Sequence, residues 1–306
     1  MKSDGHRAGF VGIAGRPNAG KSTLLNALVG EKLAITAPQA QTTRTAIQGV
    51  LTLPEAQIVF TDTPGIHKSD TLFNRRMMDT IRSAIQDRDL VLYVADASKP
   101  VAHEDELGVS ALAKSEKAVL VLNKIDRVED KRLLLPLIQR YMEQFPFLEA
   151  LPVSARTSEG LDLLKHVIIR HLPDGPALFP DDYLTDQPMR FLGAEIIRER
   201  ILRATREEVP HAVAVLIDHW EETPRLVKIA ATVYVERAGQ RSILIGTKGQ
   251  MLKRIGTAAR EDLEERLNRK VFLSLFVKVR PNWREDPEFL NGIDWHSMVG
   301  SEKTAT

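Results

Sequence analysis

The chain has 306 residues, of which 43% are hydrophobic and 27% are charged, and it contains no cysteine. This length is enough for two domains of ordinary size, and the composition is typical of a soluble globular protein. No stretch approaches the roughly 20 uninterrupted apolar residues of a membrane span, and the first seven residues lack the apolar core of a signal peptide. The absence of cysteine excludes disulfides, thiolate zinc sites and cysteine nucleophiles, and it favours a cytoplasmic protein.

The overall net charge of +1 conceals an uneven distribution along the chain. Residues 186–280 hold 18 Lys and Arg against 13 Asp and Glu, whereas residues 281–306 hold 2 against 5. A local excess of positive charge suggests a polyanionic partner. A solvated surface would explain a net charge of +5 equally well.

Residues 15–22 read GRPNAGKS and match the pattern G-x-x-x-x-G-K-[ST]. A short apolar run precedes them and an apolar pattern at helical spacing follows, which is the context that a phosphate-binding P-loop requires. Main-chain N–H groups and the helix N-terminus are expected to hold the phosphates, Lys21 to reach the β- and γ-phosphates, and Ser22 to ligate Mg²⁺. A glycine-rich turn that matches by chance is the alternative, expected roughly once in a hundred chains of this length.

Short apolar runs alternate with amphipathic segments over the first half of the chain. Strands are predicted at residues 58–60, 90–95, 118–122 and 151–153, and helices at residues 75–86, 104–115, 131–144 and 161–171. This alternation predicts an α/β fold, in which a mostly parallel sheet has helices on both faces. Ligands bind beyond the carboxyl ends of such strands, so the polar signatures that follow the strands mark the candidate site.

Asp62-Thr63-Pro64-Gly65 reads D-x-x-G directly after one of these strands. We expect Asp62 to hold Mg²⁺ through water and the Gly65 N–H to contact the γ-phosphate. In the segment QTTR of residues 41–44, where a mobile switch loop belongs, Thr43 is expected to join the magnesium ligands. On its own D-x-x-G is common in turns, and its position after a P-loop and a strand gives it weight.

Asn123-Lys124-Ile125-Asp126 reads N-K-x-D after another apolar strand. The Asp126 carboxylate can accept hydrogen bonds from guanine N1–H and the exocyclic amine, whereas adenine would leave it unpaired at a high cost. Ser154 and Ala155, after a further strand, are expected to support the base. A capped turn is the alternative for N-K-x-D alone, but in order with the P-loop and D-x-x-G it indicates GTP and not ATP.

The position after D-x-x-G holds Ile66, where Ras-like GTPases have the glutamine that orients the attacking water. We therefore expect slow hydrolysis, with the water positioned by the backbone, another loop or a partner. The Asn18 side chain could hold K⁺ against the phosphates in place of an arginine finger. Stabilisation of the turn by Asn18 is an equally weighted alternative.

These motifs together resemble the Era branch of bacterial GTPases, which has the same apolar residue after D-T-P-G. The resemblance implies a P-loop GTPase domain that binds GTP or GDP with Mg²⁺, and relatives that use K⁺ through the P-loop asparagine. It implies phosphate contacts from Gly15, Asn18, Ala19, Gly20, Lys21, Ser22, Thr23 and Gly65. It implies guanine contacts from Asn123, Lys124, Asp126, Ser154 and Ala155, and a magnesium site of Ser22, Thr43 and, through water, Asp62.

The second half of the chain begins a new pattern after residues 176–188, a proline-rich stretch that we interpret as a linker. A helix is predicted at residues 189–205, strands at 212–218 and 226–236, an apolar run at 242–245 as a strand, a helix at 250–268 and a final strand at 271–279. Residues from about 281 are expected to form a peripheral extension. The predicted domains are 1–175, 189–285 and an extension at 286–306.

Gly246-Thr247-Lys248-Gly249 reads G-x-x-G before the long helix, with Lys253 and Arg254 one turn later. A helix-entry turn is the default explanation of this short pattern. The element order is similar to a type II KH domain, an α+β module in which such a turn clamps about four nucleotides of single-stranded RNA. The domain is poor in aromatic residues, so stacking is not expected to be the main source of affinity.

Era proteins carry a KH domain after the GTPase domain, so the resemblance covers nearly the whole chain. It implies a slow GTPase switch that binds the 3′ end of 16S rRNA and assists maturation of the 30S subunit, as a monomer in the cytoplasm with weak peripheral membrane contact at the cytoplasmic face of the inner membrane. The alternatives are a constitutive RNA chaperone with GTP as a structural ligand, and a tRNA-modifying GTPase. The latter often needs a reactive cysteine, which this chain lacks.

Overall fold

The computed structural model describes residues 5–37, 42–65, 71–86, 88–112 and 117–294. Contacts between Cα atoms divide the chain into two compact units. The first comprises Met1–Thr36, Thr43–Asp70 and Asn74–Asp186, and the second comprises Ala37–Thr42, Thr71–Phe73 and Gln187–Thr306. No helix within the described ranges is long and apolar enough to span a bilayer.

The first unit is built on a six-stranded sheet of order β2-β3-β1-β4-β5-β6, in which β2 alone is antiparallel to its neighbour. Its strands are β1 (Arg7–Ala14), β2 (Ile47–Thr52), β3 (Ala56–Asp62), β4 (Leu90–Asp96), β5 (Ala118–Asn123) and β6 (Glu149–Pro152). Its helices are α1 (Lys21–Val29), α2 (Leu72–Ile85), α3 (His103–Ala111), α4 (Leu134–Met142) and α5 (Leu161–His171).

The sequences of the central strands explain this architecture. Every residue of β3, β4 and β5 is buried, as expected for nearly continuous apolar strands that are covered on both faces. Residues of α1 and α5 pack in one hydrophobic cluster, and residues of α2, α3 and α4 pack in another. The predicted mostly parallel α/β fold is confirmed.

Two features of the first unit differ from the sequence prediction. Strand β2 was not predicted, and the proline-rich residues 176–188 were interpreted as a linker. The β2 residue Val50 donates its N–H to Leu184 O at 2.8 Å. The Gln57 side chain of β3 accepts hydrogen bonds from Leu178 N and Phe179 N at 2.7 and 2.8 Å. Most of residues 176–188 therefore pack on the first unit, and the boundary between the units follows Asp186.

The second unit contains a three-stranded sheet of order β7-β8-β9, with β8 antiparallel to β7 and parallel to β9. Its elements are α6 (Met189–Ala204), α7 (Val209–Ala212), β7 (Ala214–Glu222), β8 (Leu226–Val235), α8 (Ala238–Ile245), α9 (Gln250–Leu267), β9 (Lys270–Val279) and α10 (Pro287–Ile293). Helices α6 and α9 pack against the sheet, giving the small α+β domain that the sequence predicted.

The prediction of a strand at residues 242–245 is wrong, because these residues form the last turn of α8. Gln240 accepts hydrogen bonds from Glu236 N and Arg237 N at 3.0 Å each, which caps the start of this helix. Leu244 is buried while Ile243 is 45% exposed, a helical pattern of burial. A four-residue apolar run fits a strand or a buried helical turn equally well, so periodicity could not separate them.

The prediction that the chain becomes peripheral after Pro281 is also wrong for the described residues. Trp283 is fully buried, and its Nε1 donates a hydrogen bond to Ala212 O at 2.9 Å. The Phe289 ring of α10 packs edge-on against Trp283 and Tyr234, with centroids 5.6 and 5.0 Å apart. This part of the chain completes the core of the second unit.

Candidate functional site

The P-loop connects the carboxyl end of β1 to the N-terminus of α1. Gly15, Asn18 and Gly20 have φ values of 144°, 63° and 97°, so the turn depends on backbone conformations that most residues avoid. A Cβ atom at Gly15 would lie 2.2 Å from Val94 O, which excludes any other residue there. The turn places Ser22 and Thr23 in the first turn of α1, where N–H groups lack helical partners and suit an anion.

Lys21 lies within this turn, with its Nζ donating to Gly15 O at 3.1 Å and to Arg16 O at 3.2 Å. Burial of the ammonium group lowers the pKa of Lys21 to about 8, against the opposing attraction of Asp62. The carbonyl oxygens of the P-loop thus hold the Lys21 ammonium group beside the loop, within reach of a phosphate bound there.

Three side-chain oxygens meet in the candidate magnesium site. Ser22 Oγ and Thr43 Oγ1 lie 2.7 Å apart and donate to Asp62 Oδ2 at 2.7 and 3.0 Å. Asp62 is fully buried, and its Oδ1 has no hydrogen bond among the described residues. Burial raises the pKa of Asp62, although the Lys21 charge opposes the rise.

This donor set fits Mg²⁺. The ion prefers hard oxygen ligands and is usually held by one or two carboxylates together with substrate phosphates and water. The part of the chain that the structure describes contains no cluster of three or more His, Cys, Asp or Glu side chains. Metals such as zinc are usually bound by clusters of that kind. The unpaired Asp62 Oδ1 is the buried acceptor that a cation or its water would satisfy.

The D-x-x-G segment lies against the P-loop. Thr63 Oγ1 donates to Ile13 O at 2.8 Å, and a Cβ atom at Gly65 would lie 2.7 Å from Pro17 Cα. Only glycine allows this approach, which brings the Gly65 main chain next to the phosphate-binding turn. Ile66 and Gln41 lie outside the described residues, so the expectation of slow hydrolysis that rests on Ile66 stays a prediction.

Asn123 joins the N-K-x-D segment of residues 123–126 to two other loops. Its Nδ2 donates to Ala19 O of the P-loop at 3.0 Å, and its Oδ1 accepts from Lys124 N at 2.8 Å and Ala155 N at 3.0 Å. A Cβ atom at Gly20 would lie 2.3 Å from this Nδ2. The Asn123 side chain therefore positions neighbouring loops. Its amide carries a second N–H, and the expected contact with the base stays a prediction.

Partly buried Lys124 and exposed Asp126 belong to the same loop. Lys124 Nζ donates to Asp96 Oδ2 at 2.7 Å and to the main-chain oxygen of Asn18, and so links the N-K-x-D segment to the P-loop. Exposed Asp126 accepts a hydrogen bond on Oδ1 from buried Ser154 Oγ at 2.7 Å. This bond orients the carboxylate, whose two oxygens match the paired N–H donors of guanine.

A buried polar cluster behind the P-loop was missed by sequence reasoning. Arg16 Nη1 lies 2.9 Å from Asp105 Oδ2 of α3, and the Tyr93 hydroxyl donates to Asp105 O at 2.9 Å. Burial and the Asp105 charge raise the pKa of Tyr93 and of Tyr141. Arg16 and Asp105 belong to no recognisable sequence motif, and they are 89 residues apart in the chain. Their pairing is therefore visible only in the folded structure.

The G-x-x-G segment forms a tight turn between α8 and α9. Gly246, Lys248 and Gly249 have φ values of 69°, 51° and 76°, and a Cβ atom at Gly246 would lie 2.6 Å from Met251 Cβ. Thr247 and Lys248 are exposed at the tip, and Lys253 and Arg254 are exposed in the first turns of α9. The four side chains share one end of the second unit, as the sequence predicted.

Comparisons with known proteins agree with these two sites. Residues 10–124 match the family model described as a 50S ribosome-binding GTPase, and residues 208–284 match the KH domain model. A crystal structure of Era in complex with MgGDPNP and nucleotides 1506–1542 of 16S ribosomal RNA is 39% identical and superposes with a TM-score of 0.92, covering 95% of this chain and 99% of that one. An Aquifex aeolicus Era variant bound to GDP·AlF4⁻ is 40% identical, with a TM-score of 0.89, and covers 94% of this chain and 99% of that one.

Sequence relatives extend over nearly the full length of the chain. GTPase Era of Geobacter metallireducens is 48% identical over 96% of this chain and 100% of its own length. GTPase Era of Syntrophus aciditrophicus is 47% identical over 93% of this chain and 94% of its own length. The resemblance that the motifs suggested is confirmed, and the chain belongs to the Era family of GTPases.

Proposed function

We propose that this chain is a GTP-hydrolysing switch that binds the 3′ region of 16S rRNA through its KH domain and assists maturation of the 30S subunit. The observation that carries the GTPase half is the convergence of Ser22, Thr43 and Asp62 beside buried Lys21. Support for the RNA half comes from the exposed Lys248 in the G-x-x-G turn and from the Era structure that contains nucleotides 1506–1542 of 16S rRNA.

In the proposed nucleotide site, each residue group has one role. The P-loop main chain of residues 15–23 and the Gly65 N–H bind the phosphates, with Lys21 at the β- and γ-phosphates. Ser22, Thr43 and Asp62 hold Mg²⁺, which when bound would offset negative charge on the phosphates. Asp126, oriented by Ser154, reads guanine, while Lys124 and Ala155 support the base and Asn123 fixes their loops.

The Asn18 side chain is proposed to hold K⁺ near the phosphates. Asn18 is exposed at the P-loop tip. Its main-chain oxygen accepts a hydrogen bond from Lys124 Nζ. The backbone of Asn18 is in the left-handed region, with φ of 63°. An amide oxygen is a suitable ligand for K⁺, which supports this role for the exposed Asn18 side chain.

The decisive experiment measures single-turnover phosphate release from GTP in Mg²⁺ and KCl, with and without 30S subunits. Hydrolysis in either condition supports the switch. Absence of hydrolysis in every condition, with RNA binding intact, would instead support the constitutive RNA chaperone. Crosslinking to cellular RNA followed by sequencing tests whether the 3′ region of 16S rRNA is the ligand.

The remaining parts of the proposal concern the state of the protein in the cell. We propose a cytoplasmic monomer whose basic KH domain makes weak peripheral contact with anionic lipid. Sedimentation velocity tests the monomer. Flotation with anionic vesicles, with neutral vesicles as the control, tests the membrane contact.

A further inference from the structure

One face of β9 presents two aromatic side chains between two lysines. Its residues are Lys270, Phe272, Ser274, Phe276 and Lys278, here called the β9 row. Phe272 is 60% exposed and Phe276 is 56% exposed, the largest exposed fractions among the large hydrophobic side chains described in the second unit. Lys270 and Lys278 are exposed as well. The row contains no carboxylate.

The opposite face of the same strand is covered. Val271 and Leu273 join a cluster with Leu263 of α9 and with Val227 and Ile229 of β8. Alternate residues of a strand point to opposite faces of the sheet, so α9 covers Val271 and Leu273 and leaves the β9 row on the opposite face. The exposed phenylalanines are thus not part of the helix-covered core.

The neighbouring strand adds positive charge to this face. Lys228 of β8 is the register partner of Phe272, and it is exposed. Its ion pair with Glu221 spans 3.3 Å, and that of Lys270 with Glu264 spans 3.6 Å. Such exposed pairs are worth little, so both lysines remain able to meet a polyanion.

The chemistry of the row suits unpaired nucleotides. Bases of any sequence stack on aromatic rings, and lysines beside the rings attract the backbone phosphates. The two rings are four residues apart on a strand, which separates their Cα atoms by roughly 13 Å. An extended single strand can therefore place one base on each ring.

We propose that the β9 row is a second RNA-binding surface, on which two unpaired bases stack against Phe272 and Phe276 while Lys270 and Lys278 attract the flanking phosphates. The proposal rests on the proposed RNA-binding function and extends it. Helix α8 packs against β9 and leads into the G-x-x-G turn. The proposal therefore requires an RNA longer than the four or so nucleotides at that turn, which reaches the row on the other face of the sheet. The aromatic residues of this domain are few, but these two share one exposed face.

The test compares unstructured RNAs of 5 and 15 nucleotides by fluorescence anisotropy. The double variant F272A/F276A is expected to lower affinity for the 15-nucleotide RNA at least fivefold, about the effect of losing one stacked base, and to leave the 5-nucleotide RNA unchanged. F272Y/F276Y should retain affinity, whereas F272L/F276L, which keeps apolar area without a ring, should lose it. L133A/L135A, two leucines each 63% exposed in the first unit, is the matched control and should bind normally.

The variant K248A separates this proposal from the function on which it rests. If K248A leaves both RNAs unchanged, RNA binding by the turn is refuted. If K248A lowers the affinity for both RNAs but F272A/F276A lowers neither affinity, RNA binding by the β9 row is refuted while RNA binding by the G-x-x-G turn is supported. Sedimentation velocity tests whether the β9 row instead binds a second copy of the chain. A dimer that F272A/F276A abolishes while RNA affinity stays unchanged would refute the proposal.

Discussion

Arg16 and Asp105 form an ion pair with 2.9 Å between Nη1 and Oδ2, and their side chains are 10% and 0% exposed. Asp105 also accepts a hydrogen bond from Ala102 N at 3.0 Å, which fixes it at the start of α3. The pair therefore anchors the second residue of the P-loop to α3, the helix that follows β4 in the chain. A loop that must hold its main chain in strained conformations needs such external anchoring.

We expect D105N to destabilise the first unit by about 3 kcal/mol, because it leaves the buried Arg16 charge without its partner. Hydrogen exchange of the buried amides of β1 and β4 measures this free energy. The control is D79N, which breaks the exposed Arg82–Asp79 pair and should cost less than about 1 kcal/mol. Equal exchange in the two variants would remove the structural role of the Arg16–Asp105 pair.

Replacement of Asp126 by asparagine is expected to change base specificity. Two hydrogen bonds from guanine to a carboxylate are worth roughly 3 kcal/mol together, so D126N should bind GTP about 100-fold more weakly. Xanthosine triphosphate, whose base presents an acceptor in place of the amine, should bind the variant better than GTP. Titration with fluorescent nucleotides measures both affinities, and an unchanged GTP affinity would refute the assignment of the base.

The Asp96–Lys124 pair predicts a pH-dependent stability. Burial acts to raise the pKa of Asp96, but hydrogen bonds from Lys124 and Ser98 outweigh it and lower that pKa. The folded state therefore favours the carboxylate, so this stabilisation is present above about pH 4 and is lost as pH falls further.

D96N should accordingly be less stable than the unmodified chain at pH 7, by roughly 1–3 kcal/mol. The difference should shrink below about pH 4, where Asp96 becomes protonated. Hydrogen exchange of β4 and β5 amides across this pH range measures the effect. A difference that is independent of pH would show that the carboxylate charge of Asp96 contributes nothing.

Replacement of Lys248 by alanine should weaken RNA binding across sequences. A lysine at a phosphate contributes through release of counterions, so the slope of log affinity against log salt should flatten by up to about 0.7. Affinities measured between low and moderate KCl give the slope. R225A, which removes another basic side chain of the second unit outside the turn, is the control, and a salt slope unchanged by K248A would exclude Lys248 from the interface.

The proposed cation role of Asn18 predicts a dependence on the monovalent ion. Hydrolysis should be about tenfold slower in Na⁺ than in K⁺, equivalent to about 1.4 kcal/mol of transition-state stabilisation. N18A should abolish the difference between the ions while retaining GTP binding. Single-turnover rates in matched KCl and NaCl decide the question, and equal rates in the two salts would dismiss the proposal.

The sequence predicted the elements whose pattern is local. Buried strands such as β4 and β5 are continuous apolar runs, and α5 matches its predicted bounds. The residues of the nucleotide site follow such strands, so their convergence could be foreseen from the topology of parallel sheets.

Features that depend on distant contacts could not be foreseen. The edge strand β2 gains its structure by pairing with β3, and α8 depends on the Gln240 cap. The sequence placed Trp283 in a peripheral extension because its hydrogen-bond acceptor, Ala212 O, lies 71 residues away in the chain. The same limit concealed the Arg16–Asp105 pair and the positioning role of the Asn123 side chain.

The bridging contacts of Asn123 have a consequence for how the nucleotide is recognised. The Asn123 side chain hydrogen-bonds both the P-loop and the loop of Ala155. We therefore expect a fragment that orders the phosphate-binding loop to order the loops proposed to bind the base as well. Guanosine and pyrophosphate, offered as separate fragments, should therefore bind cooperatively to the intact chain, and N123A should make them bind independently.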